Sequence, residues 1–252
     1  MASTCFHECC QLILEIKCLT KEKKGGTRHK SSQESIMLLH TRKILSRHTR
    51  TFFSAGPPSK TVSPLHQQIL EKTKSRFETV LNPVGTSTAT IAAGCFWGPE
   101  LIMQRIPGVT RTAVGYTGGN DANPTYAKIC TGTSGHAEAV QIDFDPRVVT
   151  YEELLTIFWD SHDGTQLNRQ GNDHGTQYRS GVYWHTMAQK NEAEKMHATI
   201  SEQLMETVGM PLATEIVKLD TFHDAEVEHQ QYLDKGGQSA KKMCNDPIRC
   251  YG

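Results

Sequence analysis

The sequence lacks three features that would assign it to a simple class of protein. It has no apolar run approaching the roughly 18 residues that a membrane-spanning helix requires. It has no excess of basic residues, because 27 Lys and Arg balance 27 Asp and Glu, whereas a dedicated nucleic-acid binder is usually basic. It has only 8 Cys in 252 residues, far below the density of disulfide scaffolds. We therefore expect a folded protein with no membrane and no nucleic acid as partner.

The charges that cancel over the whole chain are distributed unevenly. Basic residues dominate residues 1–61, and the remainder of the chain is mildly acidic. Residues 37–61 have no acidic side chain, alternate basic with apolar residues and contain the helix-ending pair Pro57 and Pro58. This composition is typical of an organelle-import segment, most like a mitochondrial presequence, with a disordered basic linker as the alternative. We expect a mitochondrial or cytoplasmic location, and residues 1–36 are predicted to be disordered and are given no role.

From residue 62 onward, hydrophobic periodicity predicts an α+β domain. Residues 62–85 are interpreted as a lead-in helix or linker, residues 86–235 as the main domain, and residues 236–252 as a tail. The predicted elements follow the order β-α-β-β-α-β, which indicates a mixed sheet with helices packed on it, a two-layer ferredoxin-like core. The predicted helices cover residues 64–82, about 95–106, the turns after Thr150, 187–208 and 226–234.

Cys95 is placed where a thiol can be reactive. It lies between Gly94 and Phe96 at a predicted junction from strand to helix. The partial positive charge of a helix N-terminus favours a thiolate there, and Phe96 and Trp97 supply an apolar wall beside the sulfur. Taken alone, a Cys at a strand end is more often a small buried apolar residue. The long polar stretch 163–178 is also expected to be functional, because loops of that length are uncommon in compact domains.

Five motifs along the chain occur in the order of a known family. The motifs are GCFWG (94–98), GYTGG (115–119), NPTY (123–126), GHAEAV (135–140) and QGNDHGTQYRS (170–180). Together they resemble the A-type peptide methionine sulfoxide reductases, over about 88–252. The resemblance implies reduction of methionine-S-sulfoxide, free or within proteins, and hence repair of oxidised proteins.

The resemblance also implies a role for each matching residue. Cys95 is expected to attack the sulfoxide sulfur and become a sulfenic acid. Glu138 is expected to protonate the leaving oxygen, which requires a raised pKa. The other matching residues are Tyr126 and Tyr178 as donors to the sulfoxide oxygen, Phe96 and Trp97 as the pocket for the substrate methyl group, and Asp173 as a polar residue that orients others.

The tail is implied to complete the reaction cycle. Cys244 and Cys250 are expected to resolve the sulfenic acid and then to be reduced by thioredoxin, in an order that the sequence leaves open. A structural disulfide or a zinc pair is the alternative for these two cysteines, although two ligands are too few for zinc. Cys130 has no partner in this scheme and is expected to be packed. No bound cofactor is implied, and thioredoxin is the electron donor.

Metal catalysis is not expected from the histidines near the motifs. His136, His162 and His174 show no HxH or HExxH spacing, and we expect His136 and His174 to shape the site through hydrogen bonds.

Two other functions are compatible with parts of the pattern. A thiol peroxidase would also use a reactive Cys and a resolving pair, but it usually places an Arg near the sulfur. A binding module for methylated side chains would use the aromatic residues as a cage, but it would have no need of Cys95, Glu138 or a tail dithiol.

Overall fold

The structure is a computed structural model, and it describes residues 63–79 and 85–249. The predicted import segment 37–61, the unassigned residues 1–36 and Cys250 lie outside the described residues.

A mixed six-stranded sheet forms the centre of the domain. The strands run in the order β7-β6-β1-β3-β2-β8, and every neighbouring pair is antiparallel except β6 with β7. A separate short hairpin is formed by β4 and β5. The strands are β1 (Ser87–Ala93), β2 (Val109–Thr117), β3 (Ala137–Phe144), β4 (Arg169–Gln170), β5 (Asp173–His174), β6 (Ser180–Trp184), β7 (Glu215–Lys218) and β8 (Phe222–Asp224). The prediction of a mixed sheet with helices is confirmed at this level.

The helices differ widely in length. They are α1 (Pro64–Thr79), α2 (Trp97–Gln104), α3 (Tyr126–Cys130), α4 (Tyr151–Ser161), α5 (Met187–Val208) and α6 (Tyr232–Lys235), with one 3-10 turn at Thr176–Tyr178. The central helix α4 contacts α1, α2 and α5. The bounds predicted for the helix at 187–208 are confirmed.

The prediction of a helix over residues 226–234 is wrong. The chain forms turns there, and only α6 at its end is helical. Gln231 has a left-handed φ of 49°, which interrupts a right-handed helix. The side chain of Glu226 bonds to other elements of the fold, as described below, so its position is set by tertiary contacts rather than by helix propensity.

The carboxylate that completes the capping box of α4 also binds α1. The Thr150 hydroxyl accepts a hydrogen bond from the Glu153 N–H at 3.2 Å, and the Glu153 carboxylate accepts one from the Thr150 N–H at 3.0 Å. Arg76 of α1 donates to both oxygens of Glu153, at 2.6 and 2.7 Å. Burial alone would raise the pKa of Glu153, but these hydrogen bonds hold it below its usual range. One carboxylate therefore caps α4 and anchors the lead-in helix.

The register of the sheet brings four chain segments to one end. Ala93 at the end of β1 pairs with Ser180 at the start of β6, and Thr117 at the end of β2 pairs with Ala137 at the start of β3. Ile91 pairs with Val140, so the end of β1 lies beside the start of β3. Residues that follow β1 and residues that begin β3 consequently meet at this end of the sheet.

Candidate active site

Cys95 follows the end of β1 in a tight turn. Gly94 has a φ of +88°, and a Cβ at this position would lie 2.6 Å from the Cβ of Gln170. Only glycine allows this approach and this backbone conformation together. Cys95 is partly exposed, and Phe96 is the N-cap of α2, so the sulfur lies just before the helix as predicted.

Glu138 is a buried carboxyl group beside the Cys95 turn. Its side chain is 2% exposed, and one oxygen accepts a hydrogen bond from the Phe96 N–H at 3.1 Å. Burial raises the pKa of Glu138 to about 8; the hydrogen bond from Phe96 opposes this, and the charge of Asp173 adds to it. At neutral pH the carboxyl group is mostly protonated, so it can donate a proton at the site.

Two tyrosine hydroxyls share the surroundings of Glu138. Tyr126 is the first residue of α3, and Tyr178 is the last residue of the 3-10 turn. Burial raises the pKa of Tyr178 to about 12, and the nearby groups of Glu138, Asp173 and Cys95 contribute. Burial also raises the pKa of Tyr126 well above its usual value. Both hydroxyls therefore remain protonated and available as hydrogen-bond donors.

The hairpin of β4 and β5 orders the long polar loop. Gln170 pairs with Asp173 across the hairpin and contacts Gly94, while its side-chain amide donates to the Asp163 carbonyl at 3.2 Å. The Gln170 side chain also accepts from the Asp163 N–H at 3.2 Å. This reciprocal pair closes the loop across its width and places Asp173 close enough to Glu138 to influence its pKa.

Phe96 and Trp97 form an aromatic wall that includes two residues the sequence did not indicate. The ring of Trp97 stacks on Tyr232 with centroids 4.0 Å apart and on His229 with centroids 5.7 Å apart. His229 also lies 4.3 Å from the ring of Tyr126 and 5.7 Å from the ring of Phe96. His229 and Tyr232 come from the segment mispredicted as a polar helix, and their aromatic character within the run HQQY was the available signal.

His136 holds the GYTGG loop, which agrees with the hydrogen-bonding role expected for it. Its Nδ1 accepts from the Gly119 N–H at 3.2 Å, so the proton is on Nε2, which donates to the Asp121 carbonyl at 2.8 Å. A Cβ on Gly119 would lie 2.4 Å from the backbone nitrogen of His136, so the close approach of the two segments requires glycine. His174 is exposed and pairs with Arg169 in the hairpin.

The expectation that Cys130 is packed in the interior is wrong. It is exposed at the end of α3, and its thiol interacts with the Tyr126 hydroxyl and contributes to the raised pKa of that group. This contact could not be predicted from the sequence, because Cys130 stands outside the motif residues.

The C-terminal tail is held against the far end of α2. Arg105, the C-cap of α2, donates to the carbonyls of Ser239 at 2.9 Å and Asp246 at 2.7 Å, and its own carbonyl accepts from the Met243 N–H at 2.9 Å. The Lys242 amine donates to the Val109 carbonyl at 2.8 Å, and burial lowers its pKa to about 8. Cys244 lies between two of these anchors, Met243 and Asp246.

This docking separates Cys244 from Cys95. Cys95 and Arg105 are ten positions apart along a mostly helical segment, and at about 1.5 Å per residue this spans roughly 15 Å. A disulfide needs Cα atoms within about 7 Å. The docked tail therefore does not present Cys244 to Cys95.

The end of the described tail lies elsewhere. The side chain of Gln238, which follows α6 closely, donates to the Arg249 carbonyl at 2.6 Å and accepts from the Arg249 N–H at 2.9 Å. Because α6 carries the Tyr232 ring that stacks on Trp97, this pairing holds Arg249 near the helix that borders the aromatic wall.

The described part of the chain contains neither a metal-binding cluster nor a membrane-spanning helix. Within residues 63–79 and 85–249, no group of three or more His, Cys, Asp or Glu side chains is arranged to hold a metal ion. No helix in those ranges is both long and apolar enough to cross a membrane.

Comparison with known proteins connects this geometry to one family. The family described as peptide methionine sulfoxide reductase matches residues 87–249. Peptide methionine sulfoxide reductase A2-1 of Oryza sativa subsp. japonica is 52% identical over 168 residues, covering 67% of this chain and 88% of that protein. Peptide methionine sulfoxide reductase A4, chloroplastic, of Arabidopsis thaliana is 50% identical over 173 residues, covering 67% of this chain and 66% of that protein. The structure of methionine sulfoxide reductase A of Corynebacterium diphtheriae aligns with a TM-score of 0.58 at 36% identity, covering 72% of this chain and 86% of that one.

Proposed function

Because the chain belongs to the peptide methionine sulfoxide reductase family, we propose that it reduces methionine-S-sulfoxide to methionine through Cys95. One observation carries the proposal. The buried Glu138 carboxyl accepts a hydrogen bond from the residue after Cys95 and has a pKa of about 8, so a proton donor stands beside the nucleophile at neutral pH.

The first step transfers one oxygen atom from substrate to enzyme. The Cys95 thiolate attacks the sulfoxide sulfur, and negative charge develops on the sulfoxide oxygen. Glu138 supplies a proton to that oxygen, and the hydroxyls of Tyr126 and Tyr178 donate hydrogen bonds to it. The bond formed between the two sulfurs and the sulfoxide sulfur–oxygen bond then both break as the hydroxyl passes to the Cys95 sulfur. Methionine leaves, and Cys95 becomes a sulfenic acid, oxidised by two electrons.

The substrate methyl group packs against the aromatic wall. Phe96 is 1% exposed and Trp97 stacks on the rings of His229 and Tyr232, so both side chains are held in place rather than mobile. Asp173 acts through Glu138, whose pKa its charge raises. The partial exposure of Cys95 suits a methionine sulfoxide on the surface of a protein.

The second step regenerates the thiol. A tail thiol attacks the sulfenic acid, a disulfide forms and water leaves. Cys244 is held at the far end of α2, whereas Arg249 is held beside α6. We therefore assign the first attack to Cys250, the residue after Arg249. Cys244 then displaces Cys95 to give a Cys244–Cys250 disulfide, and a dithiol of the thioredoxin type reduces it.

The finer fold assignment is also a proposal. The order β6-β1-β3-β2 of the four central strands and the placement of α2 and α4 between them in sequence support a ferredoxin-like core. The domain boundaries 62–85, 86–235 and 236–252 and the disordered state of residues 1–36 likewise remain predictions.

The cellular location is proposed from the sequence alone. Residues 37–61 have the composition of an import segment, and mitochondrial import is our proposal for them. Since a 50% identical relative is named chloroplastic, plastid import is the other outcome to distinguish. Microscopy of a fluorescent protein fused behind residues 1–61 separates the two, and a diffuse cytoplasmic signal would contradict both.

Turnover of separated epimers tests the activity. The full chain is assayed with the S and R epimers of a peptide methionine sulfoxide, and dithiothreitol serves as the electron donor. We expect methionine from the S epimer only. A folded protein that converts neither epimer would contradict the proposal, and turnover of hydrogen peroxide instead would favour a thiol peroxidase.

A further inference from the structure

Glu226 connects one of the proposed oxygen-binding tyrosines to the central sheet. One carboxylate oxygen accepts a hydrogen bond from the Tyr116 hydroxyl at 2.8 Å, and the other accepts one from the backbone N–H of Tyr126 at 2.8 Å. Tyr116 lies in β2 and is completely buried. A side chain from the turn after β8 therefore joins the start of α3 to a rigid strand.

The charge of Glu226 strengthens this connection. Burial alone would raise the pKa of Glu226, but the hydrogen bonds from Tyr126 and Tyr116 and the proximity of His229 hold it below its usual range. The group is therefore an anion at neutral pH. Hydrogen bonds to an ionised acceptor are roughly twice as strong as those between neutral groups.

Among the described residues, the Glu226 carboxylate is the acceptor for the Tyr126 backbone N–H. That N–H belongs to the first turn of a helix, where backbone donors have no partner within the helix. Helix α3 has only 5 residues, and its cap is a long contact of 3.5 Å from the Lys128 N–H to the Thr125 hydroxyl. Residues 118–125, which connect the end of β2 to α3, contain no helix or strand. The carboxylate of Glu226 is thus a principal constraint on the position of Tyr126 at the start of α3.

The same turn also constrains the Tyr126 ring. His229 is three residues after Glu226, is 9% exposed, and lies with its ring 4.3 Å from the Tyr126 ring. Glu226 fixes the backbone of Tyr126, and His229 packs against its side chain. The direction of the Tyr126 hydroxyl is consequently determined from two points of one turn.

We propose that Glu226 is a positioning residue that acts on the reaction through Tyr126, by holding the Tyr126 hydroxyl where the sulfoxide oxygen binds. This inference rests on the proposed function. A displacement of about 1 Å at a reacting group can cost about 100-fold in rate, so a residue that only orients Tyr126 can matter as much as a direct contact.

The test measures single turnovers of the pre-reduced full chain with methionine-S-sulfoxide, without added reductant. The variants are Glu226→Gln, Tyr126→Phe and the double variant, with Glu228→Gln as the matched control because that carboxylate is exposed in the same turn. Both the maximal rate of methionine formation and the half-saturating sulfoxide concentration are recorded, together with the melting temperature of each variant.

We expect Glu226→Gln to lower the maximal rate about 10-fold to 100-fold, with the half-saturating concentration changed less than about 3-fold. In the Tyr126→Phe background the same substitution should have almost no further effect, because the hydroxyl that it positions is absent. Glu228→Gln should match the wild type. If Glu226→Gln is not recovered folded, Glu226→Asp replaces it, with the same expected dependence on Tyr126.

Equal losses from Glu226→Gln in the presence and absence of the Tyr126 hydroxyl would overturn the inference, since they would indicate a general structural role. An unchanged rate in Glu226→Gln would overturn it as well. Failure of the wild type to form methionine would instead contradict the proposed function, so the two failures are distinguishable.

Discussion

At the scale of single residues, the proposed chemistry depends on a carboxyl group that keeps its proton at neutral pH, where an ordinary glutamate is ionised. Glu138 owes its pKa of about 8 first to burial and further to Asp173, while the Phe96 N–H opposes the shift. The folded pKa is raised, so the proton that the reaction needs is present below about pH 8 and is lost as the pH rises through that value.

We predict that Glu138→Gln slows the single-turnover formation of methionine by about 100-fold to 10,000-fold, the usual contribution of a general acid. In the wild type, the rate at high pH should fall with an apparent pKa near 8, and this fall should be absent from Glu138→Gln. The measurement is the single-turnover rate from well below to well above pH 8. A fall that persists unchanged in the variant would assign it to another group.

Replacing each cysteine is expected to block the reaction cycle at a different step. We predict that Cys95→Ser abolishes methionine formation, whereas Cys244→Ser and Cys250→Ser still form one methionine per chain. Only Cys250→Ser should then accumulate the sulfenic acid, because Cys244 is docked away from Cys95. Trapping the sulfenic acid with a carbon nucleophile, followed by mass measurement, checks this. Equal trapping in both tail variants would refute the assigned order.

At the scale of elements, the attachment of the tail to α2 controls which thiols meet. Lys242 donates to the Val109 and Gln104 carbonyls and has no acidic partner among its described hydrogen bonds. We predict that Lys242→Met, introduced into Cys250→Ser, speeds formation of a Cys95–Cys244 disulfide, because the anchored segment is released. Lys241→Met in the same background is the control, because the side-chain bonds to Gln104 and Val109 belong to Lys242. Disulfide formation after one equivalent of sulfoxide is followed by non-reducing electrophoresis, and equal rates in both variants would contradict the prediction.

The capping box of α4 allows a prediction about stability. Thr150→Ala removes the acceptor for the Glu153 N–H and is expected to lower the free energy of unfolding by about 1 kcal/mol. Thr207→Ala, at an exposed position of α5, should change it by less than about 0.5 kcal/mol. Urea denaturation of both variants is the measurement. Similar unfolding midpoints for the two would show that the box contributes little.

At the scale of the whole molecule, the sequence predicted those parts that local patterns determine. The bounds of α5 could be predicted because Thr186 caps its start, accepting from the Gln189 N–H, and Gly209 ends it with a left-handed φ of 68°. The strands β1, β2 and β3 belong to the same class, because their buried apolar residues are continuous or alternate within each segment.

Other parts are determined by distant contacts that no local pattern contains. The hairpin at Gln170 forms against Gly94 and Asp163, and the turn at Glu226 forms against Tyr116 and Tyr126. The motif residues of the site were recognised by resemblance, and the structure groups Cys95, Glu138, Tyr126, Tyr178 and Asp173 at one end of the sheet. Their supports, Glu226, His229 and Tyr232, were missed because their sequence looked like an ordinary polar helix.

The stacking of Trp97 on Tyr232 has a consequence for protein synthesis. Trp97, in the wall of the candidate pocket, emerges from the ribosome more than 130 residues before the rings of His229 and Tyr232 that brace it. A nascent chain that has already released Cys95 from the ribosome still has no completed pocket around it. Contacts between such distant positions also form late in folding. The candidate nucleophile and its candidate pocket therefore become available together, once Tyr232 has left the ribosome.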